Sequence, residues 1–178
     1  VWLELRPEDL NRPFFLSPKI KTGIGENFFF GGLMSFDDGA VEFRRIHNQL
    51  QLVWLNTEYV ARPGTPEARA VEAAFSPSLL ASTAVLSLPH PDRKSILIEA
   101  NAIFVTDLLG TATQLQRSYR QGYGFDARNS AIAKIRATPD LVTFAVSAHY
   151  ALARVSLPPA NPAPGSPPSP RPRRRREP

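Results

Sequence analysis

Three histidines are the only imidazoles this sequence offers for proton transfer or metal binding: His47, His90 and His149. None lies within four residues of another and no His-Glu-x-x-His occurs, so the chain encodes no zincin-type metal site. His47 falls in a polar turn and His90 stands between Pro89 and Pro91, both positions that favour an exposed side chain. His149 sits on the polar side of an alternating run, where a surface histidine and a general base are the two readings. Ser17, Ser76 and Ser87 lack the Gly-x-Ser-x-Gly elbow that presents a nucleophilic hydroxyl. Gly31-Gly32 and Gly122-Tyr123-Gly124 lack the Lys-Ser/Thr ending and the third glycine of phosphate loops, and read as turns.

Glu99 is the carboxylate of most interest, because it interrupts the apolar run Ile96-Leu97-Ile98. Buried there, it would hold a proton more tightly and could donate it. The simpler reading, which the alternation favours, puts it on the wet face beside Leu97 or pairs it with Lys134 or Arg136. The segment Tyr119–Arg128 interleaves aromatics with arginines, a composition for stacking single-stranded nucleic acid or docking a protein. Phe28-Phe29-Phe30 cannot all face one core layer in a strand, so at least one of these rings calls for a partner. With no cysteine, thiol chemistry, disulfides and Cys-ligated metals are excluded for this chain. No catalytic, cofactor-binding or metal-ligating residue is assigned.

The elements that would hold these residues are strands interrupted by two helices. Val1–Leu5 and Ser95–Ala100 read as short strands, and Pro13–Pro18, bracketed by prolines, as an edge strand or crossing loop. Val41, Phe43 and Ile46, then Leu50, Leu52 and Trp54, flank the polar turn His47-Asn48-Gln49 and predict a β-hairpin, with Asn56–Val60 prolonging its second strand. Thr65, Pro66 and Glu67 open a first helix that Ser76-Pro77 stops. Phe104, Leu108, Ala112, Leu115 and Tyr119 recur at helical spacing and predict a second, starting near Asn101 or Thr106 and ending at Gly122 or Gly124. Leu141–Ala151 alternates throughout, with Val142, Phe144, Val146, Ala148 and Tyr150 on one side, and Thr138-Pro139-Asp140 turns into it from Ser130–Ala137. Such alternation means one wet and one buried face, an antiparallel habit. The expected fold is therefore α+β, an antiparallel sheet with β-hairpins covered by two helices, over residues 1–156.

From Leu157 to Pro178, nine of 22 residues are proline and five are arginine, Arg173 to Arg176 consecutively. Such a segment buries too little apolar area to offset its ordering entropy and is expected to be a disordered linker or tail. It carries most of the net charge of +5; the first 156 residues hold 16 basic and 15 acidic side chains, so a general basic footprint for nucleic acid is absent. The chain begins at Val1 inside a strand, which reads as a piece of a longer protein.

Several blocks share an order that resembles one bacterial family. These are Phe14-Phe15-Leu16-Ser17 with its Gly-rich sequel, Val41–Arg45 with Asn56-Thr57, Ser95–Ala100, and the closing strand from Val142 to Tyr150. In that family of secreted or periplasmic zinc-dependent metalloproteases, a domain of unknown function precedes a metzincin-like catalytic domain. The resemblance implies that this chain is the non-catalytic accessory domain, partnered by its own C-terminal catalytic half. Zinc, its ligands and the general-base glutamate would belong to that half, and no functional residue carries over. The alternative from composition is a stand-alone module that binds nucleic acid or a protein through the Arg-rich tail and Tyr119–Arg128.

Overall fold

The computed structural model describes residues 1–23, 31–32, 34–35 and 38–152. The tail from Leu157, and Phe28–Phe30, lie outside the described residues. The chain runs β1 (Trp2–Leu5), β2 (Pro13–Leu16), β3 (Lys19–Ile20), β4 (Met34–Ser35), β5 (Gly39–Ile46), β6 (Gln49–Trp54) and α1 (Pro66–Ala74). It continues through β7 (Ser78–Ala84), β8 (Ile96–Glu99), α2 (Ala100–Phe104), α3 (Thr111–Tyr119), β9 (Tyr123–Phe125), β10 (Ala131–Ala137), β11 (Val142–Ser147) and β12 (Tyr150–Leu152). All named strand pairs are antiparallel, and the fold is α+β.

The centre is a four-stranded sheet in the order β2-β5-β6-β7, built on the predicted hairpin with Phe43 opposite Leu52. Just past β7, Val85 bridges to Ile98 and attaches the β1–β8 pair. Leu10, just past β1, then bridges back to Phe43 of β5. The hydrogen-bonded path thus returns on itself around one core of Leu5, Val41, Phe43, Leu50, Leu52, Val85, Ile96, Ile98 and Ile103. Leu50, Leu52, Ile98 and Ile103 are fully buried, each worth about 1.5–3 kcal/mol of transfer free energy. The alternation of β1, β5, β6 and β8 produces this: their inward residues meet in one place, although β1 and β8 lie far apart in the chain.

Several expectations are corrected. The stretch predicted as one second helix is two, because Gly110 adopts a left-handed φ of 61° and Asp107 turns its carboxylate to the new helix start. Its oxygens accept from the Thr111 and Ala112 amides at 2.8 and 2.9 Å. Helix α3 ends on Arg120, with φ 53°, rather than on Gly122 or Gly124, and Gly124 pairs with Ala151 inside a strand. Helix α1 starts where predicted, with the Thr65 hydroxyl accepting from the Ala68 amide, but it buries none of its side chains. The core is covered instead by α2, through Ala100 and Ile103, and by α3, through Leu115. Asn56–Val60 does not prolong β6: the Asn56 carboxamide accepts from the Glu58 and Tyr59 amides and folds the chain away. Strand β7, Ser-Leu-Leu-Ala-Ser-Thr-Ala, has no strict alternation and completes the sheet where no strand is predicted.

The run Leu141–Ala151 is also divided. β11 pairs with β10, whereas β12 pairs with β9, and Ala148-His149 forms a corner between them. β10 and β11 make a two-stranded arm. A bulge between Ile132 and Lys134 brings Ile132, Ile135 and Ala137 to the side of Val146, Phe144 and Val142. The Phe104 ring of α2 stacks on Phe144 at 4.3 Å, while Ile135, Leu141 and Val142 towards the tip stay exposed. The buried face predicted for this strand is therefore only half covered.

Candidate functional site

The residues singled out for chemistry are scattered. His47 is the exposed corner of the β5–β6 hairpin, with φ 53°. His90 is half-buried rather than exposed, and its Nδ1 accepts from the amides of Asp92 and Arg93, so it closes a turn. Ser17 donates to Asp38, and Ser87 accepts from the Leu97 amide. Among the described residues, no three His, Asp or Glu side chains gather as a metal-binding group.

His149 has an acid beside it. Its Nδ1 lies 3.2 Å from Asp126 Oδ2, and Ser130 is adjacent, so the residue types of a catalytic triad meet at the corner between β11 and β12. The hydrogen bonds decide against that chemistry. The Ser130 hydroxyl donates to the Asp126 carbonyl at 2.7 Å and accepts from the His149 backbone amide at 2.9 Å. It faces main chain and not the imidazole, so the serine is not activated. Asp126 also accepts from Asn129 Nδ2 and the Arg128 amide, and these bonds, Asn129 foremost, hold its carboxyl below the ordinary range. The cluster fastens the corner at which the ribbon changes partner.

Asp107 joins the start of α3 to β12 in a similar way. Besides capping the helix, it accepts from the Tyr150 hydroxyl at 2.8 Å. Burial first, and then this carboxylate, push the Tyr150 phenol well above its usual range. The ring of Tyr150 meets Phe125 edge-on at 5.5 Å. Phe125 and Tyr123 are consequently half-buried, and the Tyr119–Arg128 segment does not present these two rings as open stacking platforms.

Glu99 is exposed on β8 and is not the buried acid among the described residues. That position belongs to Glu42, which is 9% exposed and ion-paired to Arg44 two residues along the same strand. Neither Lys134 nor Arg136 pairs with Glu99, and Glu99 and His149 share no hydrogen bond or ion pair among the described residues.

Two concavities flank the core. A cavity of about 210 Å³ opens beside Trp54, walled by Leu16, Pro18, Leu80, Leu108, Leu109 and Gln114. It is smaller than the ~300–1,000 Å³ of usual ligand pockets, and the polar side chains in its lining are the Gln114 carboxamide and the Trp54 indole N–H. A groove of about 360 Å³ runs between α1 and the Asn56 turn, where Tyr59 and Phe75 stack at 4.0 Å. Neither contains a nucleophile with its base.

A sheet face also exposes apolar side chains. Trp2 pairs with Glu99 and Glu4 with Leu97, so all four point to the side away from Leu3, Leu5, Ile96 and Ile98. The Leu86 amide donates to the Leu97 carbonyl at 3.1 Å, continuing the ladder from Val85. Trp2 and Leu97 are 64% and 39% exposed on this two-stranded pair, and Leu86, in the stretch just past β7 that bridges to it, is 54% exposed. Sequence alternation marks the outward residues of β1 and β8 one strand at a time. Only the pairing of strands more than ninety residues apart makes them one face. No family model matches this chain, and neither a curated protein nor a solved structure does.

Proposed function

We propose that this chain is a non-catalytic accessory domain of a bacterial zinc-dependent metalloprotease, acting as a scaffold, folding aid or substrate-side wall for the catalytic half. The observation that carries the docking part is the outer face of the β1–β8 pair, where Trp2 and Leu97 are exposed with Leu86 of the bridging stretch beside them. A contiguous apolar face with tryptophan suits an interface better than a free surface. The protease part rests on the order of sequence blocks.

On this reading zinc and its ligands belong to the other half, and the protein works in the periplasm or outside the cell. The described residues supply no ligand set for zinc, so no step through it is assigned to this chain. Among them, no helix is long and apolar enough to cross a membrane. The alternative is a stand-alone module that binds nucleic acid or a protein partner through the Arg-rich tail and Tyr119–Arg128, and its base-stacking part has less support because Phe125 packs on Tyr150.

Mixing this chain with a separately expressed catalytic half tests the reading. Association at micromolar concentration with altered peptidase activity is expected. No association would overturn it.

A further inference from the structure

The outer face of β1 and β8 contains two carboxylates in equivalent places. Glu4 stands opposite Leu97, and Glu99 stands two residues along, opposite Trp2. Glu4 already holds a guanidinium: Arg93 Nε donates to its Oε1 at 2.8 Å, and the Ser95 hydroxyl donates to the same oxygen at 2.5 Å. Those two bonds, Ser95 first, hold the Glu4 carboxyl below its ordinary range, so it is an anion at neutral pH. Glu99 is an exposed carboxylate beside the indole of Trp2 and the side chain of Leu97, with no cation seated on it among the described residues.

We infer that Glu99 is the second arginine seat of this face and that the arginine comes from a partner protein. The guanidinium would sit on the Glu99 carboxylate and against the Trp2 ring, while its stem and apolar neighbours cover Leu97 and Leu86. The chemistry of the site selects this occupant. A carboxylate between exposed apolar side chains repels an acidic partner and leaves a purely apolar one facing an unpaired charge. Arginine answers both demands, since its planar fork matches a carboxylate, stacks on an aromatic face and is weakly hydrated. The Arg93–Glu4 pair shows the carboxylate half of the arrangement within this molecule. The inference rests on the reading of this face as a docking surface and names what docks.

The test uses the full chain and two capped tripeptides, Leu-Arg-Leu and Leu-citrulline-Leu, which have nearly the same shape but differ in charge. Titrations are followed by the NMR signals of the Trp2 indole N–H and the Leu86 and Leu97 methyls. The arginine peptide is expected to shift these signals and to bind about three- to tenfold tighter than the citrulline peptide, with the difference falling as salt rises. Glu99→Gln, an exposed change that leaves the thermal midpoint in place, is expected to abolish that preference. Equal binding of the two peptides, or an unchanged preference in Glu99→Gln, would overturn the inference. So would shifts confined to the Tyr59–Phe75 groove. If the peptides discriminate but the catalytic half does not associate, the protease reading fails alone. If the catalytic half associates equally with wild type and Glu99→Gln, the arginine seat fails alone.

Discussion

Gly39 shows how one missing atom positions a core ring. A Cβ built there would lie 2.3 Å from Trp54 Cζ2, inside the indole that packs across the glycine. Gly39→Ala must therefore displace Trp54, and a loss of about 1–3 kcal/mol is expected in chemical denaturation. Asp107 makes the opposite kind of contribution, since its carboxylate satisfies two helix-start amides and one phenol. Asp107→Ala is expected to cost about 1–3 kcal/mol, and Tyr150→Phe about 1 kcal/mol because it removes only one of the three bonds. Titration follows the same contacts. The Tyr150 phenol is raised in the folded state, so its contribution is complete below the ordinary tyrosine pKa near 10 and is lost as pH rises through the higher folded value. Ultraviolet titration should show one tyrosine ionising well after the others, and Asp107→Asn should bring it earlier. Glu4 and Asp126 are depressed, so what they contribute is present above the ordinary carboxylate range and fades as pH falls below about 4.

At the scale of elements, the division of one predicted helix into α2 and α3 has a local cause that residue periodicity conceals. Phe104, Leu108, Ala112 and Leu115 are spaced as on one helix, but a carboxylate at Asp107 and a glycine at Gly110 make a new start cheaper than continuation. Gly110→Ala forces a side chain into a left-handed conformation and is expected to cost about 1 kcal/mol, read from the thermal midpoint. Similarly, Leu141–Ala151 alternates without a break, yet the bonds among Asp126, Ser130 and His149 hold a corner in it. The arm beyond that corner is two strands thick and leans on the core through Phe104 and Phe144. Its amides should exchange hydrogen faster than those of β6, and Phe144→Ala should accelerate the arm while leaving β6 nearly unchanged. Comparable acceleration of both would mean that arm and core open together.

For the molecule as a whole, a single closed path of strands around Leu50, Leu52, Ile98 and Ile103 determines stability. Ile103 reaches this core from the short helix α2 and is fully buried. Ile103→Ala is expected to cost about 2–5 kcal/mol, against less than 0.5 kcal/mol for Ala70→Ser on the exposed side of α1. The sequence alone was enough for the antiparallel α+β class, the β5–β6 hairpin, the start of α1 and the wet side of β8. Each of these depends on alternation or capping among neighbours in the chain. Tertiary structure alone decided that β7 completes the sheet, that Glu42 rather than Glu99 is buried, and that the Ser130 hydroxyl faces main chain rather than the His149 imidazole. It also brought Trp2, Leu86 and Leu97 onto one face. The physical reason is range. Local patterns state which side of a strand is apolar, whereas burial, hydrogen-bond partners and shared surfaces depend on which distant strand lies alongside, and that is set by closing one core around the inward side chains of all of them.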